Sequence, residues 1–469
     1  MPMVDLNLIL NVIFVFIVLY YFTINTIYLI VLFLSILQIN RMKKHRYTFN
    51  LDQAFRFRLL PPVTIILPAY NEEKTIVESV TSLLFIKYPS YELLVVNDGS
   101  KDGTMQVLID SFNLVRTDYV YRSSIDTEQV QGIYISREHR SLVVIDKENG
   151  GKADALNAGI NISRYPYFCA IDADSILGED ALARLILPFL HDPVRTTAVG
   201  GIVKAANGAD IEKGRLIRER LTRNPLVNFQ SVEYSRSFFM GRMGLSMLNS
   251  LLIISGAFGL FHKEDVLKVH GYRRKSLGED MLLVVSLHKQ KLRERKPYRI
   301  CFLHDTVCWT EIPSDLNTLK KQRIRWQMGL MESITENRDM FLNPRYRAVG
   351  LFSIPFYFFS EIIPPFLEFI GYGVIGLGLY MGALHPQSIV HFFFVSWVYS
   401  AIHSFVGLAT EHFMVATSFK LHHFLFKLFT SLLENIFYRQ INLVYRVVGV
   451  FKFFSNKREW GEMERRGFK

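Results

Sequence analysis

The stretch VTIILPAYNEEKTIVESVTSLLFI, Val63 to Ile86, decides the fold. Its first six residues, Val63 to Pro68, make a short apolar run bounded by turn signals, the pattern of a strand buried on both faces of a parallel sheet. Glu72 to Ile86 reads as the helix that follows it. ELLVVN, Glu92 to Asn97, repeats the strand pattern, and YFCAID, Tyr167 to Asp172, supplies a third strand. Strands alternating with amphipathic stretches between about residues 60 and 345 give an α/β class with a doubly wound sheet.

A sheet of that kind binds ligands beyond the carboxyl ends of its strands. The first strand ends in PAYNE (Pro68 to Glu72), the second in NDGSKDG (Asn97 to Gly103), and the third in DADS (Asp172 to Ser175). Each motif alone is also ordinary turn chemistry.

Outside this region the chain is built for a bilayer. No charged residue occurs from Leu6 to Asn40, a run longer than the ~20 residues one crossing needs. Asp5 before it and Arg41, Lys43, Lys44 and Arg46 after it predict a single crossing whose basic end lies in the cytosol. Leu351 to Met381 and Ile389 to Leu408 read as a second and third crossing, joined through a turn at His385-Pro386. His422 to Phe454 mixes Phe and Leu with Lys427, Arg439 and Arg446, the composition of an interfacial amphipathic helix. The expected division is an anchor at 1–45, a cytosolic domain at 46–345, a transmembrane hairpin at 346–410, and interfacial or transmembrane helices with a basic tail at 411–469.

The net charge of +11 collects at Arg41 to Arg46 and Lys457 to Lys469, beside apolar runs, so lipid headgroups are the expected partner and nucleic acid is not. Cys169, Cys301 and Cys308 form an odd set in a cytosolic segment and read as small buried hydrophobes. Thr117 to Arg140 is polar and irregular, an inserted loop with a short hairpin around Gly132, and is assigned no chemistry. There is neither a G-x-x-x-x-G-K phosphate loop nor an H-E-x-x-H zinc motif.

Four clusters carry candidate chemistry. Asp172 and Asp174, spaced i and i+2 after a strand, suit a hard divalent cation, although Asp174 or Ser175 could equally cap a following helix. In ENGGKADALN, Glu148 to Asn157, two glycines permit close backbone approach and Lys152 adds a point charge, fitting a nucleotide or its phosphates; a glycine turn leading into a helix reads the same way. Glu279 and Asp280 open a predicted helix, where a carboxylate is either an N-cap or a general base kept ionised by the helix N-terminus. KKQRIRW, Lys320 to Trp326, is either a basic helix near the membrane or a set of phosphate-matching arginines beside a tryptophan on which a sugar ring can stack.

In order, PAYNE, NDGS, GGKADALN, DAD, GED and QRIRW make the segment from Pro61 to Gly329 resemble the membrane-integrated family-two glycosyltransferases, closest to the processive cellulose, chitin, hyaluronan and poly-N-acetylglucosamine synthases. The resemblance implies a GT-A (Rossmann-like) α/β domain on the cytosolic face, set between transmembrane helices with interfacial amphipathic helices. It implies that Tyr70, Glu72 and Asp98 contact the donor nucleoside and that Lys152 lies near its phosphates. Asp174, with Asp172, would hold Mg2+ or Mn2+. Asp280 would be the general base with Glu279 beside it. Gln322, Arg325 and Trp326, with Arg323 at the variable place, would hold the diphosphate and stack the acceptor. Ser255 and Gly256 would line the acceptor pocket, and Phe238 to Arg242 would fall in the interfacial-helix region.

The activity implied is inverting, processive β-transfer from a UDP-sugar, UDP-N-acetylglucosamine before UDP-glucose, with secretion of the polysaccharide across the cell (inner) membrane by a multi-pass protein. The growing polysaccharide, the bilayer and accessory export subunits are the implied partners. Asn97 stands where the pattern has a first aspartate, and Gly278 where it has the threonine of Thr-Glu-Asp. The short tail leaves no room for a cyclic-dinucleotide-binding domain, which disfavours cellulose. Two other readings are a non-processive transferase, against which QRIRW counts, and an inactive channel or scaffold.

Overall fold

The computed structural model describes residues 6–46, 51–56, 59–212, 215–218, 220, 222–415 and 421–455; Asp5 and the basic tail from Lys457 to Lys469 lie outside the described residues. Its strands are β1 (Val63–Ala69), β2 (Tyr91–Asp98), β3 (Leu114–Thr117), β4 (Val130–Ser136), β5 (Leu142–Lys147), β6 (Tyr167–Ile171), β7 (Ser175–Leu177), β8 (Thr196–Ala205), β9 (Asp210–Glu212), β10 (Arg215–Arg218), β11 (Phe258–His262) and β12 (Arg299–Thr310). Ten of them form one sheet in the order β3-β4-β5-β2-β1-β6-β11-β8-β12-β7. The block β5-β2-β1-β6 is parallel, and β11 runs antiparallel between β6 and β8. Its interior residues, such as Ile65, Leu67, Leu93, Val95 and Val144, are fully buried, each contributing about 1.5–3 kcal/mol of apolar burial.

The register places the functional loops side by side. Ala69 pairs with Asn97, Asn97 with Asp146, and Asp98 with Lys147, so the loops after β1, β2 and β5 leave the sheet at one level. The helix expected from Glu72 begins later, running from Ile76 to Leu84, because Asn71 takes a left-handed φ of 56° and the Glu72 carboxylate accepts the Thr75 hydroxyl at 2.7 Å. The segment 117–140 is not simply an inserted loop. Its second half is β4, paired antiparallel to both β3 and β5, with Gly132, Ile133 and Ser136 buried between its neighbours. DADS leads into a strand, β7, and not into a helix that Asp174 or Ser175 could cap.

The helices that frame the site are α1 (Leu6–Arg46), α2 (Lys152–Ile162), α3 (Pro225–Arg236), α4 (Glu279–Arg293), α5 (Leu316–Glu336), α6 (Pro364–Tyr380), α7 (Pro386–Val415), α8 (Leu421–Leu433) and α9 (Tyr438–Phe454). Among the described residues, three stretches are long and apolar enough to cross a membrane: Leu6–Lys44, Val349–Tyr380 and Pro386–Phe413. The second is not one regular helix, since it passes through π-helical turns at Val349–Ser353 and Phe358–Ile362 before α6.

Residues 421–455 form two helices in place of the one expected, and their charges meet protein rather than lipid. Lys427 pairs with Glu411 at 3.1 Å, Arg439 with Glu368 at 3.3 Å and Arg446 with Glu361 at 2.7 Å. α9 lies so close along α5 that a Cβ on Gly449 would come 2.7 Å from Cβ of Gln327. Replacing Gly449 by leucine should therefore separate α9 from α5 at a cost of about 1–3 kcal/mol, read as a lower Tm of the purified protein in detergent.

Candidate active site

Asp98 organises the loop after β5. Its carboxylate accepts from Lys147 Nζ at 2.7 Å, Gly151 N at 2.7 Å, Gly150 N at 3.0 Å and Asn149 Nδ2 at 3.2 Å. Lys147 is wholly buried and also meets Asp154 at 2.6 Å, and Asp154 meets Arg274 at 2.7 Å. A buried cation is tolerable only with such partners. The chain can follow this path because Gly151 has φ 87° and because a Cβ on Gly150 would lie 2.5 Å from Cγ of Asp154. Asp98 thus shapes one wall of the cleft, with most of its hydrogen-bonding capacity already used by the protein.

Lys152 opens α2 and forms an ion pair with Asp172. Burial pulls its pKa down, but the Asp172 and Glu279 carboxylates outweigh that and raise it. Asp174, two residues on from Asp172, accepts the Thr310 hydroxyl at the end of β12 at 3.2 Å. Across the cleft, Asp280 in the first turn of α4 accepts from its neighbour Met281 N at 2.8 Å and from Gly256 N at 3.3 Å. Glu279 is buried, and that burial together with adjacent Asp280 raises its pKa against the pull of Lys152 and Arg325.

The start of α4 is clamped to α5. Glu332 accepts from the Ser276 hydroxyl at 2.8 Å and from Leu277 N at 3.0 Å. Gly278 and Gly329 then touch backbone to backbone: a Cβ on either would lie 2.8 Å from the other's Cα. This explains the glycine at position 278, since a threonine there has no room. The same α5 carries Gln322, Arg323, Arg325 and Trp326, so one helix fixes the position of Asp280 and presents the QRIRW side chains.

Arg323 departs from the expected donor contact. It makes a two-point ion pair with Glu233 of α3 at 2.6 and 2.7 Å, donates to the Tyr438 hydroxyl at 3.0 Å, and stacks 4.6 Å over the Trp326 ring. Tyr438 in turn donates to Glu233 at 2.6 Å. Although burial acts the other way, Arg323 holds the Glu233 carboxyl below its usual range. Glu233, Glu332 and Thr310 were not singled out in the sequence, and no local motif marks them.

A cavity of about 2120 Å³ joins these groups. Tyr70, Glu72, Asp98, Lys152, Asp172, Asp174, Ser255, Gly256, Glu279, Asp280, Gln322, Arg323, Arg325 and Trp326 all line it. The structure therefore brings every candidate together. The same cavity continues among the apolar helices, past Tyr21, Tyr28, Glu361, Glu368 and Trp397. Asp172 and Asp174 fit a hard divalent cation in donor type. Among the described residues no cluster of three or more His, Cys, Asp or Glu completes a protein cage, which suits an ion that takes its remaining oxygens from substrate and water.

Residues 167–438 match the family model described as Glycosyl transferase family group 2, and residues 64–265 match Glycosyl transferase family 2. The chain belongs to the family-two glycosyltransferases. Among similar proteins are the poly-beta-1,6-N-acetyl-D-glucosamine synthases of Staphylococcus aureus, 29% identical over 312 residues covering 66% of this chain and 64% of the relative, and of Staphylococcus epidermidis, 26% identical over 295 residues, covering 63% and 60%. The match thus spans less than two thirds of the length of these relatives. A solved mannosyltransferase from Pyrobaculum calidifontis, in complex with GDP-Man and Mn2+, shares the fold with a TM-score of 0.52 at 17% identity, covering 87% of this chain and 99% of that one.

For this glycosyltransferase, Gly278→Ala should lower kcat for sugar transfer by on the order of 10- to 100-fold through displacement of Asp280. Nucleotide affinity, measured by calorimetry on the same preparation, should fall by much less than kcat, because Asp98 and its loop lie outside that contact and only the α5 side of the cleft, with Arg325, shares it.

Proposed function

We propose that this enzyme is an inverting, processive β-glycosyltransferase that polymerises N-acetylglucosamine from UDP-N-acetylglucosamine on the cytosolic face and passes the polymer through its own membrane helices. The observation that carries this reading is the single cavity that runs from Tyr70 and Asp98, past Asp280 and Trp326, into the helix bundle. The poly-N-acetylglucosamine synthases similar to it support the choice of sugar. The basic residues that end α1 support a cytosolic position for the domain at 46–345. Accessory export subunits belong to the same proposal.

In this mechanism the nucleoside lies between Tyr70, Glu72 and the loop that Asp98 organises. The diphosphate lies at Lys152 and Arg325, with Gln322 beside it. Asp174, with Asp172, would hold Mg2+ or Mn2+, which supplies charge neutralisation of the leaving diphosphate. The acceptor sugar stacks on Trp326 and reaches Asp280. Its hydroxyl oxygen attacks the anomeric carbon from the side opposite the phosphate while Asp280 takes the hydroxyl proton. The bond from that carbon to the phosphate oxygen breaks, UDP departs, and the configuration inverts. Glu279, next to the base, keeps a carboxyl close to Lys152 and holds that side of the cleft in register.

Purified protein in lipid should release UDP from UDP-N-acetylglucosamine, stop on chelation of divalent metal, and yield a product many sugars long by size separation. Asp280→Asn should slow turnover by about 10²- to 10⁴-fold. No UDP from any common UDP-sugar, or products lengthened by one residue only, would refute the synthase reading.

A further inference from the structure

Arginines crowd the cavity, and most have an evident counterion. Arg236 pairs with Glu434, Arg323 with Glu233, Arg439 with Glu368 and Arg446 with Glu361. Arg242 lines the same cavity and forms no ion pair among the described residues. Its guanidinium stacks 4.1 Å over the ring of Phe238, and its Nη1 is buried with no hydrogen-bond partner among the described residues. Arg242 is half-buried overall, and leaving its buried N–H donor unpaired costs about 1–3 kcal/mol, whereas the neighbouring arginines all have partners. Such a group is expected to meet its partner in a bound ligand.

The position of Arg242 tells which ligand. It ends the π-helical turn Ser237–Arg242, which interrupts the helix following α3. Turns of that kind re-aim a side chain and recur at functional sites. The segment is fastened to the membrane anchor, because Ser35 of α1 donates to the Phe239 carbonyl and Gly244 packs on the Val31 backbone. Tyr234, Asp280 and Tyr357 line the cavity with it. Tyr357 belongs to the stretch Val349–Tyr380, long and apolar enough to cross a membrane, and Asp280 opens α4, so the cavity that holds Arg242 joins the proposed base to the membrane helices. The diphosphate, by contrast, has Lys152 and Arg325.

We propose that Arg242 is an acceptor-binding residue, donating hydrogen bonds to an oxygen of the sugar at the growing end of the glycan as that sugar lies between Asp280 and the membrane bundle. The proposal rests on the synthase reading above. A planar fork of N–H donors suits an acetamido carbonyl, which accepts two bonds, and also suits a pair of ring hydroxyls. Both sources are neutral oxygens of the acceptor, and acceptor chemistry separates them.

The test uses the full chain in lipid nanodiscs, with Arg242→Ala, Arg242→Gln and Arg242→Lys. UDP binding and hydrolysis of UDP-N-acetylglucosamine without acceptor are measured alongside transfer to short N-acetylglucosamine oligomers and to their deacetylated forms. Loss of a charged hydrogen bond should raise the acceptor KM by about 10- to 100-fold in the alanine and glutamine variants. Lysine should recover part of this, and UDP binding and acceptor-free hydrolysis should hold, which also shows that each variant is folded. If the carbonyl is the partner, wild type prefers acetylated acceptor and Arg242→Ala loses that preference. If hydroxyls are the partner, the variant keeps the preference while its KM still rises. Weakened UDP binding in all three variants would overturn the proposal. So would an unchanged acceptor KM with a fall in kcat alone, the outcome expected if the arginine acted only on the chemical step. A wild type that turns over no UDP-sugar would remove the synthase reading itself, whereas an active wild type with an indifferent Arg242 would remove this inference alone.

Discussion

The site depends on a contact between two residues that have no side chains. Gly278 and Gly329 press their backbones together, and Glu332 ties the Ser276–Leu277 turn to the same helix. Because α5 also carries Gln322, Arg325 and Trp326, the carboxylate of Asp280 and the acceptor platform move as one body. In the proposed mechanism that coupling sets base against acceptor, where an error of about 1 Å costs on the order of 100-fold in rate. Arg323 extends the same logic outward. Bound to Glu233 and Tyr438 and stacked on Trp326, it joins α3, α5 and α9 into one frame around the tryptophan.

Charge in the membrane part follows a consistent rule. Glu361 and Glu368 lie within or beside the second crossing, where an isolated carboxylate would be expensive, and each meets an arginine of α9. Both pairs face the cavity rather than lipid. A path lined by paired charges, tyrosines and a tryptophan offers hydroxyl-rich chains hydrogen bonds and stacking surfaces without presenting one strong charge that would hold the chain fast. That balance fits a passage through which a neutral glycan slides.

Much of this was legible in the sequence, for a local reason. Buried parallel strands announce themselves as apolar runs, and Val63 to Pro68 and Glu92 to Asn97 fall where the structure has β1 and β2. The loops after them follow from chain order, so Asp98, Lys152, Asp172 and Asp280 could be named before any geometry. What stayed hidden is long-range. Ile133 and Ser136 of β4 are buried only because β3 and β5 flank them, and a half-polar strand between turns reads as loop. Arg439 and Arg446 looked interfacial because their glutamate partners lie some 70 to 85 positions away in the chain. Arg323 looked like a phosphate ligand for the same reason: Glu233 is 90 residues distant.

Asp98 lines the cavity, and its carboxylate is already engaged by the protein. Four donors from Lys147, Asn149, Gly150 and Gly151 converge on its two oxygens. A carboxylate offers about four lone-pair sites, so a nucleoside N–H would have to compete with bonds already made. The consequence is that Asp98 acts on the donor chiefly through the loop it holds: it fixes Gly150 and Gly151, and Gly151 sets the start of α2, from which Lys152 reaches Asp172. Under the proposed function the nucleoside meets the more exposed Tyr70 and the backbone of the loop itself, and the buried Lys147 serves the site by holding that loop from within.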